Sequence, residues 1–181
     1  MCRLFGYIGE EKNLGGYLGG NKNSLLSQSH GTISATGPGP IEHRHGWGIY
    51  WKRGNTHFYE RRGMEEFDDN DFLNISLETK ASLAVAHIRN ASKGTDFDRK
   101  FAHPFVEDRI ILAHNGTIKP YIEEGKEKGT TDTGIVMERL KRDWKERDYK
   151  SLVLVLFNII TEVGDDYTAM NMIISNEKDL F

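Results

Sequence analysis

The chain has 181 residues, 38% of them hydrophobic and 28% charged, enough apolar material for a core and too much for a disordered chain. Its formal charge of −3 gives no field to draw it to nucleic acid or to an anionic membrane. The longest unbroken apolar run, residues 152–157, is far short of the ~20 residues of a membrane span. The opening Met-Cys-Arg-Leu-Phe-Gly-Tyr-Ile-Gly has one charge and a glycine-broken apolar stretch, which is not a secretory signal. One cysteine cannot close an internal disulfide and suits a reducing compartment. The expectation is a single cytoplasmic domain over residues 1–181.

In chain order, residues 3–9 read as a first strand, apolar enough to be buried on both faces. A glycine-rich passage follows, then a short helix over 24–29. Residues 31–40 hold three glycines and two prolines and read as a loop. Strands over 48–52 and 57–62 flank Arg53-Gly54-Asn55, a hairpin turn signal. Residues 69–77 form a helix candidate, and 82–88 and 109–114 are short apolar strands.

From 132 to 148, Val136, Leu140 and Trp144 make an i, i+4, i+8 stripe on one helical face, with Thr131 or Asp132 as cap. Residues 152–163 are apolar nearly all round, so this helix should be buried between layers. Residues 169–175 close as a strand. Strands followed by two helices and a strand favour α+β, with helices packed on a mostly antiparallel sheet.

Cys2 stands where removal of the initiator methionine leaves it first in the chain. A thiol and a free α-amine then share one carbon framework. The amine's ordinary pKa of about 7.7–8.0 lies near the pH at which a general base works best. It can take the thiol proton and return it to a leaving amine, a nucleophile–base pair within one residue. The plainer reading is a cysteine that packs in the first strand.

Further segments join it. Residues 86–94 read Ala-His-Ile-Arg-Asn-Ala-Ser-Lys-Gly and residues 101–105 Phe-Ala-His-Pro-Phe. Residues 110–118 are Ile-Ile-Leu-Ala-His-Asn-Gly-Thr-Ile, and 129–134 are Gly-Thr-Thr-Asp-Thr-Gly. With the Met-Cys-Arg-Leu-Phe-Gly start, this order resembles the class II glutamine amidotransferases, whose nucleophile is N-terminal. His-Arg-His-Gly-Trp-Gly-Ile at 43–49 resembles the small, stand-alone members. The resemblance runs from residue 1 to about residue 176.

Attack on an amide creates an oxyanion that needs preorganised donors. Asn115-Gly116, at the end of an apolar strand, can offer a side-chain amide and a backbone N–H; the alternative is a hairpin turn. Glutamine's α-carboxylate suits a bidentate arginine, Arg89, and its α-ammonium suits Asp132; the alternatives are a surface ion pair and a helix cap. The resemblance implies these same four roles, and places Ser92 and His103 along the pocket. It also implies a four-layer αββα sandwich, a thioester on Cys2, and no cofactor or metal. The expected substrate is glutamine or a γ-glutamyl amide. Any synthase that uses the ammonia would be a partner chain.

One departure stands out, since relatives usually carry Asp before Gly-Trp-Gly and this chain carries His45. The chain also stops soon after its last strand, leaving either a minimal fold or a sheet edge for a partner to cover. Two rival readings remain. One is a metal site assembled from His43, His45, His87, His103 and His114. The other is a catalytically silent relative that binds glutamine or a partner.

Overall fold

The first strand, β1 (Arg3–Asn13), is an edge strand in the computed structural model, whose described residues are 2–30, 32–33, 40–41, 43–91 and 96–181. It is followed by α1 (Leu25–Ser29), the two-residue strands β2 (Thr32–Ile33) and β3 (Pro40–Ile41), β4 (Gly46–Arg53), β5 (Thr56–Gly63), α2 (Asp69–Glu78) and β6 (Lys80–Ile88). Four of these strands form an antiparallel sheet of order β1-β6-β4-β5.

Every residue of β1, which pairs with β6 at the sheet edge, is exposed or half-buried, which corrects the expectation of burial on both faces. The loop expected over 31–40 is part of a β2–β3 pairing, with Thr32 opposite Ile41; residues 31 and 34–39 lie outside the described residues. The hairpin holds: Arg53 faces Thr56 across a two-residue turn. On this unit, alternate residues of β4 (Trp47, Ile49) and of β6 (Ala84, Ala86, Ile88) turn to one face. They close a core with Leu14, Leu18 and Phe72.

A second unit runs from Phe105 to Phe181, the first ending at Pro104. It contains β7 (Phe105–Glu107), β8 (Ile110–Ile118), α3 (Pro120–Glu127), α4 (Asp132–Asp143), α5 (Tyr149–Val163) and β9 (Tyr167–Ser175). Its sheet is antiparallel, of order β7-β8-β9. The expected stripe, Val136, Leu140 and Trp144, is wholly buried against Ile110 and Leu112 of β8 and Leu152, Val155 and Ile159 of α5.

Two helix expectations need correction. The helix from 132 ends at Asp143 rather than 148. Trp144 caps it, its indole Nε1 donates to Asp148 O at 2.8 Å, and Arg147 takes a left-handed φ of 57°. Asp148 then starts α5 instead of ending α4, accepting from Ser151 N at 2.8 Å. Nor is α5 buried all round. Leu152, Val155, Ile159 and Val163 face the core, but Leu154 and Phe157 are each 64% exposed, with Val153 and Ile160 also exposed.

The sheet edge at β9 is covered at one end by the chain itself, where Ile174 and Phe181 exchange backbone hydrogen bonds of 3.0 and 2.8 Å. Among the described residues, no helix is long and apolar enough to cross a membrane.

Candidate active site

Cys2 lies immediately before β1, half-buried. The pairing of β1 with β6 puts Arg3 opposite Ile88, so the residue before β1 meets the chain just leaving β6. There Asn90 N donates to Cys2 Sγ at 3.3 Å, and the thiol donates back to Asn90 O at 3.5 Å. Burial pushes the thiol pKa above its usual value, and the Asn90 backbone hydrogen bond offsets part of that. The thiol is therefore the protonated form at neutral pH, the state a base must act on.

Arg89 follows β6, is only 5% exposed, and donates from Nη1 to Asp96 O at 2.8 Å. Its burial takes it away from the surface where the alternative reading put it. A cavity of about 580 Å³ opens between residues 63–66 and 96–99, so the Arg89 guanidinium is anchored to one wall of it. His103 is buried in the same unit, its ring 4.7 Å from that of His87. Ser92 lies outside the described residues.

Asn115 and Gly116 belong to the second unit. They are not a turn: β8 continues through both, with Asn115 opposite Asn171 and Gly116 opposite Met170 of β9. The ladder then shifts register between Gly116 and Ile118, a bulge of the kind that re-aims strand groups. Asp132 is the first residue of α4, while Thr131 is the cap, accepting from Gly134 N at 3.3 Å. The Asp132 carboxylate instead accepts from Ile118 N at 2.8 Å, tying the start of α4 to the end of β8. Beside them, His114 bonds Thr133 Oγ1 at 3.0 Å through Nδ1 and Ala169 O at 3.2 Å through Nε2. Burial lowers its pKa, and the Asp132 charge works against that. The structure thus groups Cys2 with Arg89 in one unit, and Asn115, Gly116 and Asp132 in the other.

Asn90 escaped the sequence reading because its contribution is made by the main chain, which leaves no signature in residue type. Thr133 was legible only as part of a Thr-Asp-Thr string. Among the described residues, no group of three or more His, Cys, Asp or Glu side chains could hold a metal ion.

His43 is 2% exposed and its Nδ1 has no hydrogen-bond partner among the described residues. Burial, with Arg3 nearby, lowers its pKa to about 4. Between pH 6.5 and about 4 the unfolded chain carries a proton there that the folded chain refuses. Stability from this group is therefore full above pH 6.5, falls with acid through that window and levels off below it. The loss is on the order of 3 kcal/mol. Urea unfolding at pH 7 and pH 4.5 should show it, and His43→Gln should shrink the difference between the two.

The profile of the family "Glutamine amidotransferases class-II" matches residues 18–181. A glutamine–fructose-6-phosphate aminotransferase (isomerizing) of Bartonella quintana is 28% identical over a stretch covering 43% of this chain and 16% of that enzyme. The Bartonella henselae counterpart is 27% identical, with the same coverage. This chain thus matches about a sixth of the length of those relatives.

Among solved structures, a glutamine aminotransferase class-II domain protein from Silicibacter pomeroyi superposes with a TM-score of 0.60 at 14% identity, over 99% of this chain and 74% of that one. A "predicted glutamine amidotransferase" from Pseudomonas aeruginosa gives 0.53 at 19% identity, over 99% and 71%. The α+β fold of antiparallel sheets and helices is therefore that of these class II domains.

Proposed function

Given that this chain belongs to the glutamine amidotransferases of class II, we propose that it hydrolyses the side-chain amide of glutamine, or of a related γ-glutamyl amide, with Cys2 as nucleophile. The observation that carries the reading is the placement of its only cysteine. Cys2 directly follows Met1, and its thiol is held by both backbone groups of Asn90, next in sequence to the buried Arg89.

Once Met1 is removed, the Cys2 α-amine takes the thiol proton as Sγ attacks the amide carbon. The carbonyl π electrons move to oxygen, and the oxyanion is held by the Asn115 side-chain N–H and the Gly116 backbone N–H. Collapse breaks the C–N bond. The leaving nitrogen receives the proton from the α-amine and departs as ammonia or an amine, leaving a thioester on Sγ. Water, deprotonated by the same amine, attacks the thioester through a second oxyanion and releases glutamate and the thiol.

Arg89 binds the substrate α-carboxylate and Asp132 its α-ammonium, with Ser92 and His103 lining the pocket. No cofactor enters any step. The whole of residues 1–181 is read as one class II domain acting in the cytoplasm. Its ammonia passes to solvent or to a synthase that accepts it.

A glutamine analogue bearing a diazoketone electrophile tests the reading by intact mass. One adduct, mapped to Cys2 of a chain that has lost the methionine mass, is the expected result. A retained methionine, or a Cys2 that ignores the analogue, would favour a silent binding subunit or a different amide substrate.

A further inference from the structure

The segment leaving β6 is tied at each of three successive residues, and His45 supplies ties on both sides of the middle one. Arg89 N donates to Gly46 O at 2.8 Å and His45 N donates to Arg89 O at 3.2 Å. Two residues on, Ala91 N donates to the His45 ring at Nδ1, 2.9 Å away. Asn90, between these anchors, is the residue whose N–H and C=O hold Cys2 Sγ. The imidazole is itself packed against Phe97, ring centres 4.6 Å apart.

We propose that His45 is a positioning residue for the nucleophile, fixing the Arg89–Asn90–Ala91 backbone through an unprotonated Nδ1 and thereby setting the contact between Asn90 and Cys2 Sγ. The proposal rests on the reading of Cys2 as nucleophile.

A backbone N–H can donate only to a ring nitrogen that carries no proton. The Ala91 bond therefore specifies the tautomer, with the proton on Nε2. Protonation of the ring would set one N–H against another and release Ala91. The surroundings oppose that change. Burial and the Arg89 guanidinium both lower the His45 pKa. His43, on the same segment, stays neutral down to about pH 4, and the 96–98 stretch presents the uncharged Phe97 ring. Acid thus loosens the nucleophile's support at a pH below 6.5, apart from any titration of the α-amine.

Two substitutions separate the acceptor from the ring. His45→Phe keeps the stacked ring and deletes the acceptor. His45→Asn places an amide oxygen close to where Nδ1 stands, and that oxygen does not titrate. Long-range 1H–15N spectra of the histidine rings, followed from pH 7.5 to 5, should show an unprotonated His45 Nδ1 at neutral pH. The Ala91 amide resonance should move with the same midpoint as the His45 ring, and that movement should vanish in the Asn variant.

Alkylation of Cys2 by iodoacetamide should slow severalfold in the Phe variant and recover in the Asn variant. For glutamine turnover, the Phe variant should lose roughly 10- to 100-fold in kcat, the scale expected of a misplaced reacting group, with KM little changed. The Asn variant should restore kcat. An Ala91 amide that ignores the His45 titration, or a Phe variant with unaltered alkylation and kcat, overturns the proposal. Neither the spectra nor the alkylation uses glutamine. A wild-type protein that fails to turn glutamine over would therefore count against the proposed function and leave this test intact.

Discussion

Cys2→Ala should abolish glutamine turnover while the protein remains folded. The side chain removed is half-buried, and hydrogen bonds link its thiol to both backbone groups of Asn90. Losing them costs about 1–2 kcal/mol, too little to unfold a domain of ordinary stability. The chemistry loses far more, because no other cysteine exists in the chain and the alanine methyl cannot form the thioester. Loss of a nucleophile that works as a unit with its base lowers kcat by about 10⁴-fold or more. Ammonia release in steady state, with circular dichroism as the control for folding, reads both effects. Turnover undiminished in a folded variant would remove Cys2 from the mechanism.

Gly116→Ala should be the most damaging single-methyl change in the second unit. Gly116 has φ +148°, a backbone conformation that L side chains rarely adopt. An added Cβ would stand 1.9 Å from Ala169 O, in the β9 strand that pairs with β8, and 2.9 Å from His114 Nε2. The obstacle is backbone on the neighbouring strand, so relief requires the β8–β9 ladder to part. The expected loss is about 4 kcal/mol or more, the range reserved for strain and overpacking together.

Gly129→Ala is the control. Its φ is +66°, but nothing lies within 4 Å of the added Cβ, so only about 1 kcal/mol of conformational cost is expected. Urea unfolding of the two variants side by side separates the contributions. Equal losses would mean that the crowding at Ala169 is relieved by a small shift. Because the Gly116 N–H is also a proposed oxyanion donor, a variant that still folds should lose activity as well.

Signals that depend on the chain's own neighbours were legible in the sequence. The Gly54-Asn55 turn, the apolar runs of β6 and β8, and the Val136–Leu140–Trp144 stripe needed nothing beyond local pattern. What was missed depends on remote partners. The apolar start of β1 reads like a central strand, yet among the described residues it pairs with β6 at the sheet edge. The end of α4 is decided by the Trp144 indole reaching Asp148 O, a bond that residue spacing does not announce. The Pro120 that opens α3 is a helix-start signal that went unused beside Asn115-Gly116.

Of the proposed site residues, Cys2, Arg89 and Asp132 could be picked out by chemical type. The hold on the thiol by Asn90, and the hold of His45 on the flanking Arg89 and Ala91, could not. Those bonds are made by main-chain groups, which every residue carries.

The two-sided character of α5 has a consequence for the chain before it is folded. Leu-Val-Leu-Val-Leu-Phe at 152–157 is uncharged, free of proline and glycine, and rich in residues that suit strands, the composition of a steric-zipper segment. In the native state that run is committed to helix, with Asp148 as its cap through Ser151 N and Oγ. A nascent or partly melted chain has no such commitment, and the same six residues can stack edge to edge with those of another copy. The cap at Asp148 therefore acts as a gatekeeper, because each increment of helix stability it adds shortens the time the run spends open to cross-β assembly.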